Sequence, residues 1–157
     1  MGLLASACKA FALAGGAIFA LLTLMSAASI IGRHAGRPIQ GDFELVQLGC
    51  AVAIAFCLPY CQWRRGHIIV DFFTVRASAR TRGVLDALGA LLLALVMALV
   101  AWRTGAGALA IKASRETSMI MGVPIWYAYA LMVPAFALTA AAGLEAAWRY
   151  WRDWRLA

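Results

Sequence analysis

The stretch that decides the fold is Val84–Trp102, which reads VLDALGALLLALVMALVAW. It carries a single charged side chain, Asp86, and it approaches the roughly 20 residues that a helix needs to cross about 30 Å of hydrocarbon. Comparable apolar stretches run over residues 11–31, 43–63 and 124–148. The sequence therefore predicts an all-α integral membrane protein with four transmembrane helices.

Length and composition leave little of the chain outside these spans. The protein has 157 residues, 64% of them hydrophobic, and a mean hydropathy of +0.83. We therefore expect one membrane domain over residues 1–157, folded as a compact four-helix bundle. Lys9 before the first span resembles the start of a signal peptide, but the apolar run exceeds the usual 7–15 residues, which favours a retained span.

The basic residues predict the orientation in the membrane, because positive charge accumulates in short cytoplasmic loops. One predicted side holds nine of the 14: Lys9, Arg64, Arg65, Arg76, Arg80, Arg82, Arg149, Arg152 and Arg155. The other side holds Arg33, Arg37, Arg103, Lys112 and Arg115. Both termini are therefore expected in the cytoplasm. The net charge of +7 reflects this topology and predicts no nucleic-acid binding, since the basic residues flank spans instead of forming a dense patch.

All six tryptophans are predicted to lie at the two membrane surfaces, where indole rings are enriched. The cytoplasmic set is Trp63, Trp148, Trp151 and Trp154. Trp102 and Trp126 are expected to face each other at the opposite surface.

Residues that would support enzymatic chemistry are poorly placed for it. Cys50, Cys57 and Cys61 fall within span two, where they are expected to pack as small apolar residues. His34 and His67 are predicted on opposite sides of the membrane, so they would not bind one haem iron together. We therefore expect no enzyme activity, cofactor or metal site. A membrane oxidoreductase or haem anchor subunit remains the alternative from another functional class.

Energy-coupling residues are also missing from the predicted spans. The central parts of the four spans contain no ionisable side chain, although such residues mark most ion and proton pathways. The chain also lacks the glycine-rich loop and lysine of ATP-binding proteins. A self-sufficient pump is therefore disfavoured, and a stand-alone small transporter is the second alternative.

Glycines and prolines predict how the helices pack. Gly15 and Gly16 in span one, with Gly49 and Ala53 in span two, would allow the two backbones to approach closely. Pro124 suits the first turn of span four, where a helix needs no N–H donor.

The connection between spans two and three has the pattern of an amphipathic helix lying along the membrane surface. Its apolar residues recur at helical spacing: Ile68, Phe72, Val75 and Ala79. Arg76 and Arg80 would then meet lipid phosphates, each contributing about 1 kcal/mol. A solvated basic loop explains the same residues.

Three local patterns resemble one family. They are RHAGRPIQGDFEL at Arg33–Leu45, RGHIIVD at Arg65–Asp71, and MGVPIW at Met121–Trp126 following Thr117. In order and spacing they are similar to the small membrane subunit of tripartite ATP-independent periplasmic (TRAP) transporters, along nearly the whole chain. Met121 and Val123 replace the more usual Leu and Ile, and Pro59 interrupts a helix that the family usually keeps smooth.

The resemblance implies a three-component secondary transporter in the bacterial inner membrane. A periplasmic binding protein captures an organic acid, and a large membrane subunit carries it inward with sodium. The small subunit would scaffold the large one and hold no cofactor, because sodium is expected to bind the large subunit.

The resemblance also suggests residues for subunit or structural contacts: Arg33, Pro38, Gly41, Glu44, Gly66, His67, Asp71, Gly122, Pro124 and Trp126. We expect Glu44 to pair with Arg33, and His67 to brace the interfacial helix with Asp71. Lys112 and Arg115 are candidates for docking the binding protein, near Gly122, Pro124 and Trp126. A bent helix entry with a lipid anchor explains that last group equally well.

Overall fold

Four long helices make up the part of the chain that the computed structural model describes, residues 2–34, 36, 40–64 and 79–156, without the side chains of 79–82 and 153–156. They are α1 (Gly2–His34), α2 (Asp42–Trp63), α3 (Ala79–Ser114) and α4 (Trp126–Leu156). Each is long and apolar enough to cross a membrane, which confirms the all-helical, four-span prediction.

Several predictions fall on residues outside the described ranges. They are the interfacial helix and the proposed contacts of Pro38, Gly66, His67, Asp71 and Arg76. Arg80 lies in the first turn of α3, but its side chain is likewise outside the description.

The helices lie in the order α1, α2, α4, α3, as an open array. Within the described ranges α2 packs against α1 and α4, and α1 also makes a small contact with α4, while α3 packs against α4 and approaches neither α1 nor α2. The expected compact bundle is therefore wrong. A membrane helix does not have to close around a core, because lipid tails accept an apolar face as readily as another helix does.

Small residues line the contact between α3 and α4. Buried alanines recur at every seventh position of α3: Ala87, Ala94, Ala101 and Ala108. Opposite them on α4, the side chain of Val133 would lie 3.8 Å from a Cβ added to Gly105, and that of Tyr129 would lie 3.9 Å from a Cβ added to Gly107. A Cβ placed on Gly143 would lie 3.0 Å from the Cβ of Ala94. A seven-residue repeat of small side chains lets two helices approach closely along a left-handed crossing.

The contact between α1 and α2 is equally close but uses glycine and aromatic residues. A Cβ on Gly15 would lie 2.9 Å from the carbonyl oxygen of Ala53, and Phe11 packs on Phe56 with ring centroids 4.8 Å apart. Gly49 faces the side chain of Leu22. The prediction holds for Gly15, Gly49 and Ala53. It is wrong for Gly16, where an added Cβ would meet no described atom within 4 Å.

The third helix is longer than predicted. The apolar run was expected to end at Trp102, because Arg103 looked like the start of a loop, yet α3 continues to Ser114. Alongside α4, the ammonium of Lys112 lies 4.8 Å from the ring centre of Trp126. Trp102 precedes Lys112 by ten residues and so lies about 15 Å deeper along the helix. The expectation that Trp102 and Trp126 mark the same membrane surface is therefore wrong.

The fourth helix begins later than predicted. Pro124 was expected in its first turn, but α4 starts at Trp126 and Pro124 forms an isolated antiparallel bridge with Thr117. The carbonyl of Pro124 accepts a hydrogen bond from the N–H of Tyr127 at 3.3 Å. The proline therefore closes the loop before the helix.

Candidate functional site

The loop between α1 and α2 meets the loop between α3 and α4 at one end of the array. We call this contact, formed by residues 41–44 and 118–122, the loop junction. It brings together two sequence patterns that are distant in the chain, those around Glu44 and Gly122.

Glu44 holds the loop junction together. One oxygen of its carboxylate accepts a hydrogen bond from the N–H of Ile120 at 3.0 Å, and the other accepts from Met121 at 3.2 Å. Successive backbone N–H groups in a turn form a concavity that suits an anion. The predicted pairing of Glu44 with Arg33 is therefore wrong, because this carboxylate is engaged by the other loop.

The turn that receives Glu44 is built by its own hydrogen bonds. The N–H of Ser118 donates to the carbonyl of Val123 at 2.9 Å, and Gly122 donates back to the carbonyl of Ser118 at 3.2 Å. The hydroxyl of Ser118 also accepts from the N–H of Val123 at 3.2 Å. These bonds hold the turn so that the N–H groups of Ile120 and Met121 point towards α2.

Arg33 pairs with Asp42, the first residue of α2. Its guanidinium lies 2.5 Å from the carboxylate, which also accepts from the hydroxyl of Ser29 at 2.5 Å and from the N–H of Phe43 at 2.9 Å. Negative charge at the N-terminus of α2 also interacts favourably with the helix dipole. Sequence analysis missed Ser29, although it lies at a multiple of seven residues from the buried Cys8 and Gly15 of α1.

Two of the predicted glycines are required by the backbone. Gly41 has φ of 79° and Gly122 has φ of 63°, both in the left-handed region that side chains disfavour. Gly41 also contacts Met121, whose sulfur would lie 2.9 Å from an added Cβ. Glycine at position 41 thus allows the two loops to touch.

The predicted docking residues lie around the end of α3. Lys112 is placed over the ring of Trp126, which stacks on Tyr127 with centroids 4.1 Å apart. Arg115 ends the helix in a left-handed conformation, with φ of 54°. Both cations therefore lie beside the loop junction, one against an aromatic ring and the other at the turn out of the helix.

A second tie joins α2 and α4 at the opposite end of the array, and sequence analysis missed it. The guanidinium carbon of Arg149 lies 4.2 Å from the ring centre of Trp63, and the same group bonds to Glu145 at 2.5 Å. The i,i+4 spacing of Glu145 and Arg149 was the available signal. The contact with Trp63 could not be predicted, because the sequence does not show that α2 and α4 are neighbours.

The interactions described at both ends of the array are structural contacts between helices and loops. The described residues contain no group of three His, Cys, Asp or Glu side chains that would hold a metal ion. The cysteines at positions 8, 50, 57 and 61 are free thiols, and Cys8 is fully buried.

Comparison with protein families decides what this arrangement belongs to. The family model described as "Tripartite ATP-independent periplasmic transporters, DctQ component" matches residues 22–153, which include the C-terminal part of α1, all of α2 and α3, most of α4 and both loops of the junction. The chain belongs to this family. It is thus a small membrane component of TRAP transporters, a multi-pass membrane protein of a transporter family that is not an enzyme family. No curated protein and no solved structure matches the chain.

Proposed function

We propose that this TRAP component scaffolds the large membrane subunit during sodium-coupled uptake of an organic acid delivered by a periplasmic binding protein. The observation that carries the proposal is the open array. A helix layer with α1 and α3 at its edges leaves long apolar faces free, among them the outward leucines Leu92, Leu95 and Leu99. A self-contained transporter would be expected to enclose a pathway between its helices.

The two ties between α2 and α4 are consistent with the scaffold role. Glu44 fixes the helices to each other at the loop junction, and Arg149 with Trp63 does so at the other end. Two helices held at both ends resist sliding past each other. Such a pair gives a partner a rigid surface against which a moving part can work.

Orientation and docking complete the proposal. The loop junction faces the periplasm, and both termini lie in the cytoplasm, consistent with the excess of basic residues near the termini. Lys112 and Arg115 beside the junction would meet acidic groups on the binding protein. Next to them, the loop tip exposes Met119, 99% accessible, and Met residues adapt well to partner surfaces.

Sodium and the carboxylate would bind the large subunit, and this chain would hold no cofactor. Four-carbon dicarboxylates and sugar acids are the candidate substrates. Reconstitution tests the division of labour: vesicles containing both membrane subunits, the binding protein and a sodium gradient should accumulate the substrate. Omitting this chain should abolish uptake. Uptake by this chain alone would instead identify a stand-alone transporter, and a haem absorption spectrum in the purified chain would identify a haem anchor.

Docking at Lys112 and Arg115 is tested in the same vesicles. Replacing both by Glu should reduce uptake and raise the binding-protein concentration needed for half-maximal rate, because charge complementarity acts mainly on association. Recovery of the intact complex of the two membrane subunits serves as the control. Unchanged uptake would remove these residues from the docking surface.

A further inference from the structure

The depth of Arg103 in the membrane follows from comparison with α2. Both ends of that helix are defined, and both contact neighbouring parts of the chain. The helix begins at Asp42, ends at Trp63 and has 22 residues, which makes it about 33 Å long. That length matches the roughly 30 Å of hydrocarbon in a bilayer. The two ends of α2 therefore correspond to the two surfaces of the hydrocarbon.

Contacts with α2 and α4 set the levels of the membrane surfaces on the neighbouring helices. Glu44 bonds to the turn before α4, and Trp63 packs on Arg149, so the membrane crosses α4 between about residues 124 and 149. Lys112 packs on Trp126, which sets the corresponding level on α3. Arg103 precedes Lys112 by nine residues and lies about 13 Å inside. On this measure Arg103 lies within the hydrocarbon, whereas the sequence placed it just outside span three.

Arg103 faces away from the other helices. The alanines at 101 and 108 are buried against α4, whereas Arg103 is exposed on the opposite side of α3. Trp102 beside it is 77% accessible, and Leu99 one turn earlier is also exposed. No hydrogen bond or ion pair joins Arg103 to any other described residue. Arg103 thus has no partner among the described residues, at a depth where charge is costly.

Lipid phosphates are poorly placed to supply that partner. Arginines reach headgroups most readily from near the ends of a helix, and Arg103 is two and a half turns below the level of Lys112. Side chains on a helix also lean towards its N-terminus. For α3 that direction leads away from the nearer membrane surface, towards the centre of the bilayer.

We infer that Arg103 pairs with a carboxylate on a transmembrane helix of the large subunit, which packs on the outward face of α3 around Trp102 and Leu99. This inference rests on the proposed function and assigns it a contact surface. A carboxylate is the partner that best compensates an arginine in hydrocarbon, because it offers two acceptor oxygens to the guanidinium fork. The surrounding apolar side chains would exclude lipid and water from the pair.

Photo-crosslinking tests which molecule covers this face. A photoreactive benzoylphenylalanine replacing Trp102, in cells that produce the whole transporter, should give an adduct with the large subunit. Cells lacking the large subunit provide the control. Adducts with lipid alone, or with a second copy of this chain, would overturn the inference.

Substitution of Arg103 tests the charge itself. Arg103→Leu and Arg103→Gln should each lower recovery of the large subunit with this chain at least about tenfold, since the partner carboxylate would be left unpaired. Arg103→Lys should retain part of it. The amount of each variant in the membrane fraction separates loss of contact from loss of insertion. Because leucine removes the cost of inserting a charge, a lipid-facing residue predicts unchanged or higher recovery with Arg103→Leu, which would overturn the inference.

The outcome is distinguishable from failure of the proposed function. If the unaltered chain recovers no large subunit, the scaffold proposal itself is wrong. If the unaltered chain recovers it and both uncharged variants do so equally well, only the assignment of Arg103 is wrong.

Discussion

Helices α2 and α3 cross the same membrane but are held in different ways. The first packs against two neighbours and is tied at both ends, by Glu44 and by Trp63. Among the described residues, the second packs against α4 alone, along a row of alanines. Its remaining surface exposes leucines, Trp102 and Arg103. The contrast separates the helix that supports the array from the helix that is available to a partner.

The difference also shows how a membrane protein distributes small and large residues. Ala94, Gly15 and Gly143 lie where two backbones approach, whereas Leu92, Leu95 and Leu99 of α3 are exposed in the described part of the chain. Between helices in lipid, attraction comes from close packing more than from the hydrophobic effect. The single row of alanines therefore has to provide most of the attachment of α3.

The largest loss of stability is expected from enlarging a small residue that faces the row of alanines. Gly143→Leu would push a branched side chain against Ala94 and the carbonyl of Ala90, and overpacking of this kind costs up to about 3 kcal/mol. The melting temperature of the detergent-solubilised chain should fall clearly. Gly89→Leu on α3 is the matched control, because an added Cβ there meets no described atom within 4 Å. Equal melting temperatures for the two variants would contradict the alanine contact.

A smaller effect is expected where α1 meets α2. Gly15→Ala places a Cβ 2.9 Å from a backbone oxygen that has little room to move, and we expect a loss of about 1–2 kcal/mol. Gly16→Ala, one residue along, should be neutral or slightly stabilising, since alanine favours the helix. Thermal unfolding of the two variants measures the difference. Destabilisation by Gly16→Ala alone would mean that α1 presents the other face to α2.

The tie at Arg149 should contribute about 1–2 kcal/mol, because it combines a ring contact with a partly buried ion pair. Arg149→Leu should therefore lower the melting temperature moderately, and Arg149→Lys should lower it less. Arg64→Leu offers the comparison, since that guanidinium lies 6.0 Å from the ring of Tyr60. We expect Arg64→Leu to lower the melting temperature less than Arg149→Leu. The reverse order would contradict the proposed tie.

The tie at Glu44 is expected to have a local effect. Glu44→Gln replaces one acceptor oxygen by an amide donor, so the N–H groups of Ile120 and Met121 should exchange with deuterium faster. Arg33→Gln is the control, because Arg33 contacts Asp42 instead. Unchanged exchange at Ile120 and Met121 in Glu44→Gln would show that this carboxylate does not hold the turn.

Sequence predicted the four spans well because hydrophobic length is a property of each segment alone. It failed at the end of α3, since Arg103 looked like a loop residue, and only packing beside α4 shows that the helix continues to Ser114. The open order of the helices was likewise beyond reach, because neighbours are set by which faces match across the chain. The family resemblance itself was confirmed by the match to residues 22–153.

The loop junction was predicted in part. Sequence identified Glu44, Gly41 and Gly122 as structural positions, and the backbone angles give the physical reason for the two glycines. It chose the wrong partner for Glu44, because Arg33 was close in the chain whereas Ile120 is 76 residues away. Proximity in sequence favoured an ion pair, and the folded chain satisfies the carboxylate with backbone N–H groups instead.

The most direct test of the central claim is purification of the tagged chain from native membranes in mild detergent, followed by mass spectrometry of what remains bound. The scaffold account predicts a large polytopic membrane protein in stoichiometric amount. Recovery of this chain alone, from intact membranes and in several detergents, would contradict it.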